Sequence, residues 1–250
     1  MPKFRDDTKK AEQEIKQMPR CEIIANAGQG VHSKEQGLMI IRDASLGGAQ
    51  AIIFPQQESN ALSDDWLIEF RELTLHEKID FVGEPHTQDE IAQFERVGVD
   101  RYKITYSDIV DIELLDSIRI AGKPVLLSVG VTTYPEIEKA LRTLRPIDDC
   151  GTVILLHKVF ELEQANLRAI LDLKEEFGFK FNCSVGLESS LGEWQCDLVS
   201  LAYGVACIEK DIKLLASGDF ATCVRRAEKA LDYRKFFTDK EVGLRRDRDE

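Results

Sequence analysis

Long apolar runs are absent from this chain, and no stretch approaches the ~20 consecutive apolar residues that a membrane-spanning helix requires. The opening segment, MPKFRDDTKKAEQEIKQ, carries no apolar run resembling a secretion signal. Both absences point to a cytoplasmic protein without a membrane partner. Cysteine is scattered: Cys21, Cys150, Cys183, Cys196, Cys207 and Cys223 stand singly, without the CxxC pairs of zinc modules or the density of a secreted disulfide scaffold. They read as free thiols. Histidine is scarcer still. His32, His76, His86 and His157 are the whole supply, and no two have metal-ligand spacing. Positive charge is in deficit, with 33 Lys and Arg against 45 Asp and Glu and a formal net charge of -12. This excludes nucleic acid and anionic membrane as partners, because phosphate backbones need a cationic footprint. Small anions stay open, since a local pocket of lysines can hold one beneath an acidic surface. Linkers rich in Pro, Gly or Ser are missing too, which argues against a second domain.

What is present is an alternation of short apolar runs with longer stretches of helical periodicity, the pattern of repeated βα units. Eight strands are predicted: Glu22 to Asn26, Ala51 to Pro55, Ile79 to Gly83, Tyr102 to Thr105, Val125 to Val129, Val153 to Lys158, Phe181 to Val185 and Cys207 to Ile212. Several are apolar throughout, as strands covered on both faces should be. Between them lie SDDWLIEFREL with a Ser63 cap, EIEKALRTL, NLRAILDLKEEFG with Gly178 as its C-cap, and FATCVRRAEKAL. The fold expected is an α/β (β/α)₈ TIM barrel over residues 21–237. A short extra helix, Arg5 to Gln17, lies in an N-terminal extension (1–20), and residues 238–250 form a disordered or linker-like tail.

In such barrels the chemistry sits where strands end in loops. That rule selects Asn26 and Gln29, Gln56 and Gln57, Glu84 and His86, then Lys103, Tyr106, Ser107 and Asp108. Further round are Ser128, His157 and Lys158, Ser184 and Glu188, and Lys210 and Asp211. Lysines on barrel strands need an explanation, because burying an ammonium without a partner is costly. For Lys103, Lys158 and Lys210 it is an anionic ligand, or an ion pair with Glu84, Asp108, Glu209 or Asp211, or an outward orientation beneath a helix. A sharper reading makes Lys103 or Lys158 a desolvated amine that forms a Schiff base. His157, closing TVILLH, reads either as a site group or as a satisfied core histidine. ANAGQGVHSK is glycine-rich before a helix, yet matches neither the dinucleotide nor the P-loop pattern.

Taken in order, these blocks resemble the barrel of the sialic acid synthase (N-acetylneuraminate synthase) family from about Glu22 to Leu231. The stretch VDRYKITYSDIVDIELLDSIRIAGKPVLLSVGVTTYPEIEKAL is similar to the family's KIaSgd, GKPvilStG and EIeeA blocks, and GGAQAIIF, ILLH and GVACIEKD follow the same order. The resemblance implies metal-assisted condensation of phosphoenolpyruvate with an acylated amino sugar, and Lys103, Ser128 and Ser184 as phosphoenolpyruvate ligands. It also implies a C-terminal antifreeze-like domain, which has no counterpart within these 250 residues. Departures fall on reactive groups. The family's metal histidine in SDHT is replaced, Ser184 being followed here by Val185 and Gly186, and the one in EKHF is Asp211. The strand-one glutamate is Asn26, the KFQ lysine and glutamine are Ile53 and Pro55, and a KIaS serine is Tyr106.

The expectation is therefore a barrel of amino-sugar acid metabolism with altered C–C bond chemistry, the family's divalent metal lost and no other cofactor required. Asn26, Gln29, Lys103, Ser128 and Ser184 would bind a small anionic carbonyl or sugar-acid ligand, while Glu84, Asp108, His157, Lys158 and Asp211 would carry proton transfer. The alternative is a catalytically inactive interaction or regulatory module. Homodimerisation, or pairing with an intact synthase, is the partner expectation.

Overall fold

A computed structural model describes residues 20–28, 31–56, 61–144, 153–216 and 218–231. The Arg5 to Gln17 helix, Gln29, Gln57, Cys150 and the tail beyond 237 lie outside the described residues. In chain order the elements are β1 (Glu22–Asn26), α1 (Lys34–Leu46), β2 (Ala51–Pro55), α2 (Asp64–Glu77), β3 (Asp80–Glu84), α3 (Gln88–Val97), β4 (Arg101–Ile104) and α4 (Ile112–Ala121). There follow β5 (Val125–Ser128), α5 (Tyr134–Leu144), β6 (Val153–Val159), α6 (Ala169–Leu173), α7 (Phe179–Phe181), β7 (Ser184–Ser189), α8 (Gln195–Ala202), β8 (Cys207–Asp211) and α9 (Asp219–Ala230). The eight strands are parallel and close into a barrel, β8 pairing with β1 from Glu22 opposite Cys207 to Asn26 opposite Asp211. This is the predicted (β/α)₈ barrel. None of its described helices is long and apolar enough to cross a membrane.

Strand parity creates two cores. One set of side chains, Ile24, Ala51, Ile53, Val82, Leu126, Leu156 and Cys207, fills the middle of the lumen. The alternate set, including Ile23, Ile52, Phe54, Phe81, Tyr102, Leu155 and Ile208, packs under the helices. Phe54, Phe70, Phe81, Phe94 and Tyr102 form an aromatic chain with centroids 5.0 to 6.5 Å apart. Gly83 lies in that layer because a Cβ there would meet Phe94 Cγ at 2.7 Å. At the lumen's N-terminal end Arg101 pairs with Glu22 and Asp80, an ionic floor made by the first residues of three strands. The described cysteines are free, four of them buried.

Local signals fix most helix ends. Ser33, Ser63 and Asp111 cap α1, α2 and α4 through their side chains, and Thr87 with Glu90 forms a capping box on α3. Around strand seven the sequence expectation fails. Gly178 is not a C-cap: it is helical, with φ -55 and ψ -54, and the chain turns on through a π segment to Phe181. Phe177 and Phe181, four apart and both buried, hold that extra turn on the core, and Asn182 takes the left-handed cap at φ 48. Phe181 is thus spent on a helix, and β7 begins only at Ser184.

Candidate functional site

Above the apolar middle layer the same parity turns a charged set inward at the strand ends. Lys103 of β4, 3% exposed, is the centre of it. Its Nζ lies 2.5 Å from Glu209 Oε1 of β8, 3.3 Å from Glu188 Oε1 of β7 and 3.3 Å from Glu84 Oε2 of β3. An isolated ammonium here would lose on the order of several kcal/mol of hydration. Burial would lower its pKa, but Glu209, Glu84 and Glu188 outweigh that and raise it well above the ordinary lysine value. Lys103 is therefore a fixed cation, and the depressed pKa that a Schiff-base amine requires is the opposite of what its surroundings impose.

Glu188 is the second hub. Its Oε1 accepts from Lys158 Nζ of β6 at 2.6 Å as well as from Lys103, and its Oε2 accepts from Ser128 Oγ at 2.6 Å. Burial favours the neutral acid, but Lys103 and Lys158 prevail and lower its pKa, so it stays a carboxylate. Glu209 differs. Burial, assisted by the charge of Glu188 and opposed by Lys103, pushes its pKa up to about 7. Its Oε1 takes bonds from Lys103 and from Asn26 Nδ2 at 2.7 Å, while Oε2 is buried without a partner. Asn26 Oδ1 in turn accepts from Gly28 N at 2.7 Å, tying the first loop to the cluster.

Lys158 is the exposed end of the network, with 24% of its side chain accessible. Its Nζ lies 5.2 Å from the Tyr106 ring centroid and 5.6 Å from that of Phe160, and the two rings meet edge to face at 5.9 Å. Beside this group, on the β3 and β4 loops, His86 Nδ1 is 2.7 Å from Asp108 Oδ2, which also accepts from Thr105 Oγ1 at 2.8 Å. The bond to Asp108 raises the His86 pKa against partial burial. Burial would raise Asp108, but the His86 and Thr105 bonds lower it. Asp211 closes β8 at the rim, where its Oδ1 accepts from Lys213 N at 2.9 Å.

The barrel thus gathers Asn26, Glu84, Lys103, Ser128 and Lys158 into one cluster, with Asp108 in a strand-end loop and Asp211 at the end of β8 on the same face. Three expected residues are elsewhere. His157 alternates with the lumen-facing Leu156 and Lys158, and its Nε2 pairs with the Ala165 carbonyl at 2.9 Å beneath the following loop. Ser184 opens β7 opposite Ile154 at the floor end, and the strand end assigned to it is held by Glu188 and Ser189. Lys210 points outward, fully buried, 2.5 Å from an equally buried Asp197 of α8. Gln56 holds the β2 loop by bonding the Leu62 backbone and Gln93. The hubs are Glu188, which the strand-end rule selects but which is assigned no role, and Glu209, which enters only as an ion-pair partner of the lysines. Counting by twos from Cys207 puts Glu209 in the lumen, and the same count from Ser184 along the observed β7 puts Glu188 there. A cavity of 270 Å³ lies toward the floor, lined by Arg101, Pro124, Val125, Leu126 and Ile154.

Residues 40–221 match the model of the NeuB family. The chain is similar to the pseudaminic acid synthase of Helicobacter pylori, 29% identical over 150 residues covering 58% of this chain and 43% of that protein. It is also similar to the N,N'-diacetyllegionaminic acid synthase of Campylobacter jejuni, 28% identical over 152 residues, or 58% and 44% of the two chains. The chain spans about half the length of these curated relatives. Among solved structures, N-acetylneuraminic acid synthetase from Leptospira borgpetersenii, in complex with citrate, superposes with a TM-score of 0.77 at 24% identity over 92% of both chains. The DAHP synthase of Thermotoga maritima has a TM-score of 0.70 at 17% identity over 86% of this chain and 70% of that one.

Proposed function

The chain belongs to the NeuB family, and on that premise we propose that it serves sugar-acid metabolism with altered C–C bond chemistry, binding a small anionic carbonyl or sugar-acid ligand at the barrel mouth. One observation carries the reading. Lys158, its side chain partly exposed at the end of a strand, holds its ammonium among two aromatic rings and Glu188, a position that suits a ligand carboxylate or carbonyl. A mutually paired but buried charge network is a poor source of stability, and its position at strand ends favours a functional role. In this reading Lys158 binds the ligand, Glu188 accepts and returns protons, and the His86–Asp108 pair moves protons at the rim.

The same geometry supports chemistry different from phosphoenolpyruvate condensation. Lys103, Lys158 and Ser128 already wrap one anion, the Glu188 carboxylate, so a phosphate would have to displace it. Three carboxylates likewise surround an ammonium, Lys103, where a divalent cation would need them free. Asp211 is left as a lone carboxylate at the rim. The donor set does not fit a divalent metal, and no step is routed through one. We place the protein in the cytoplasm and take a second copy of the chain, or an intact synthase, as its protein partner.

The test is a titration of the purified chain with pyruvate, phosphoenolpyruvate and N-acylated amino sugars, with and without manganese, followed by thermal stability. Stabilisation by pyruvate or a sugar acid, lost in Lys158→Ala and indifferent to manganese, is the expected result. Complete pairing within the Lys103 cluster favours a second reading, an inactive interaction or regulatory barrel. Absence of any response would select it.

A further inference from the structure

We propose that Lys158 is a covalent site whose Nζ forms an imine with the carbonyl carbon of a small 2-oxo acid or aldehyde. This rests on the reading of the mouth as a carbonyl-ligand site and assigns that site its reactive atom.

Of the three strand lysines, Lys103 and Lys210 are each buried against carboxylates, and only Lys158, at the end of β6, keeps a partly accessible side chain. Tyr106 and Phe160 flank its head group with ring centroids 5.2 and 5.6 Å away, and 24% of the side chain stays accessible. A second ammonium, Lys103, touches the same Glu188 oxygen that Lys158 touches. Lys158 thus has apolar ring surface and a second cation beside it, the kind of surroundings in which nucleophilic lysines are found. A proton acceptor is in place as well, since Glu188 Oε1 is 2.6 Å from Nζ. Glu188 is itself oriented by Ser128 and Lys103, so it is a base held by positioning residues on two other strands. Gly130 admits the lysine stem at this spot, because a Cβ there would approach Lys158 Cβ at 3.1 Å and Phe160 Cζ at 3.2 Å.

The chemistry balances without an oxidant or a metal. The ammonium gives one proton to Glu188, and the free Nζ pair forms the N–C bond while the carbonyl π pair moves to oxygen. A second N–H proton passes to that oxygen, giving the neutral carbinolamine. Glu188 then returns its proton to the hydroxyl, the C–O bond breaks, and water leaves. An ammonium and a carbonyl have become an iminium and water, and Glu188 is again a carboxylate. The iminium draws electrons from the adjacent carbon, which is what making or breaking a C–C bond there requires.

The experiment treats the full chain with pyruvate and sodium cyanoborohydride and reads intact mass, followed by peptide mapping. One reduced pyruvate adduct per chain on the peptide holding Lys158, absent from Lys158→Arg, is the expected result. Glu188→Gln should slow adduct formation on the order of a hundredfold while leaving its location unchanged. No adduct with pyruvate, glyoxylate or acetaldehyde overturns the proposal, and so do adducts spread over surface lysines and unchanged in Lys158→Arg. Thermal stabilisation by pyruvate without any adduct would leave the ligand-site reading standing and sink the imine alone; loss of both would end both.

Discussion

Lys103 Nζ and Glu209 Oε1 meet at 2.5 Å with both side chains 3% exposed, the tightest contact of the strand-end cluster that also holds Glu84 and Glu188. Removing the cation takes from Glu209 and Glu84 the ammonium they face and leaves Glu188 to Lys158 and Ser128, whereas removing both charges of the Lys103–Glu209 pair relieves part of that burden. Lys103→Met should therefore lose about 3–5 kcal/mol of stability in urea denaturation. Lys103→Met combined with Glu209→Gln should be more stable than Lys103→Met alone. A double variant at least as unstable as the sum of its parts would show that the two groups do not compensate each other.

Glu209 also gives the fold a pH signature. Burial, aided by Glu188, pushes its pKa from 4.5 in the unfolded chain up to about 7. Between those values the folded chain keeps a proton that the unfolded chain has released, so this group's contribution falls as pH rises through the window and is flat above it. Glu188, with its lowered pKa, acts oppositely and lower down: its contribution is present above 4.5 and lost as pH falls. Comparison with Glu209→Gln isolates the first effect. From pH 5 to pH 8 the stability of the native chain relative to the variant should drop, by at most about 3 kcal/mol. Parallel pH profiles for the two proteins would refute it.

The barrel was legible in the sequence because its signals are local and repeated. Apolar runs such as AIIF and VLLS, and caps such as Ser63, each specify one element, and β1 and β2 begin and end where they were expected. The site was legible only in part, because strand-end position comes from the sequence but inward orientation depends on register. Lys103 and Lys158 fall on the inward parity, while His157 and Lys210 are one residue off it and serve the outer layer. Ser184 was misplaced for a different reason. Gly178 reads locally as a stop, yet burial of Phe177 and Phe181 carries the helix past it, and tertiary packing overrode the cap signal. That Glu188 would neutralise two lysines from two strands is a long-range fact with no local signature.

Lys210 and Asp197 form a second buried pair, fully enclosed between β8 and α8, with the Lys210 ammonium 5.6 Å from the Phe220 ring centroid. Burial raises the Asp197 pKa against the pull of Lys210, and its Oδ1 has no hydrogen-bond partner. Lys210→Met should cost about 3–5 kcal/mol by leaving the carboxylate alone, and Lys210→Met with Asp197→Leu should recover most of it. Because the pair faces away from the lumen, the thermal response of the double variant to pyruvate should equal that of the native chain. An altered response would place Lys210 in the site after all.

His86 and Asp108 make a prediction that needs no ligand. The Asp108 bond raises the His86 pKa above 6.5, so His86 should titrate above that value in an NMR pH series, and Asp108→Asn should bring it down. The linkage sign follows: their pairing stabilises the fold below the unfolded histidine pKa and fades as pH rises through the folded one. A His86 titration unmoved by Asp108→Asn would mean that the contact does not persist in solution.

Gly130 offers the most selective probe of the mouth. Its backbone is outside the left-handed region, so alanine meets no φ penalty, but the new methyl would lie 3.1 Å from Lys158 Cβ, 3.2 Å from Phe160 Cζ and 3.3 Å from Lys158 Cδ. The lysine stem and the ring must yield by a few tenths of an ångström, which bounds the stability cost at roughly 1–3 kcal/mol. Displacing Nζ from Glu188 matters more to function than that cost does to folding, because reactive geometry tolerates little error. Gly130→Ala should stay folded yet show a weakened thermal response to pyruvate and slower trapping by cyanoborohydride. Gly192→Ala, whose methyl would meet nothing within 4 Å, should change neither. If both variants behave alike, close packing at Gly130 is not what holds Lys158 in place, and its orientation must come from Glu188 and the two rings alone.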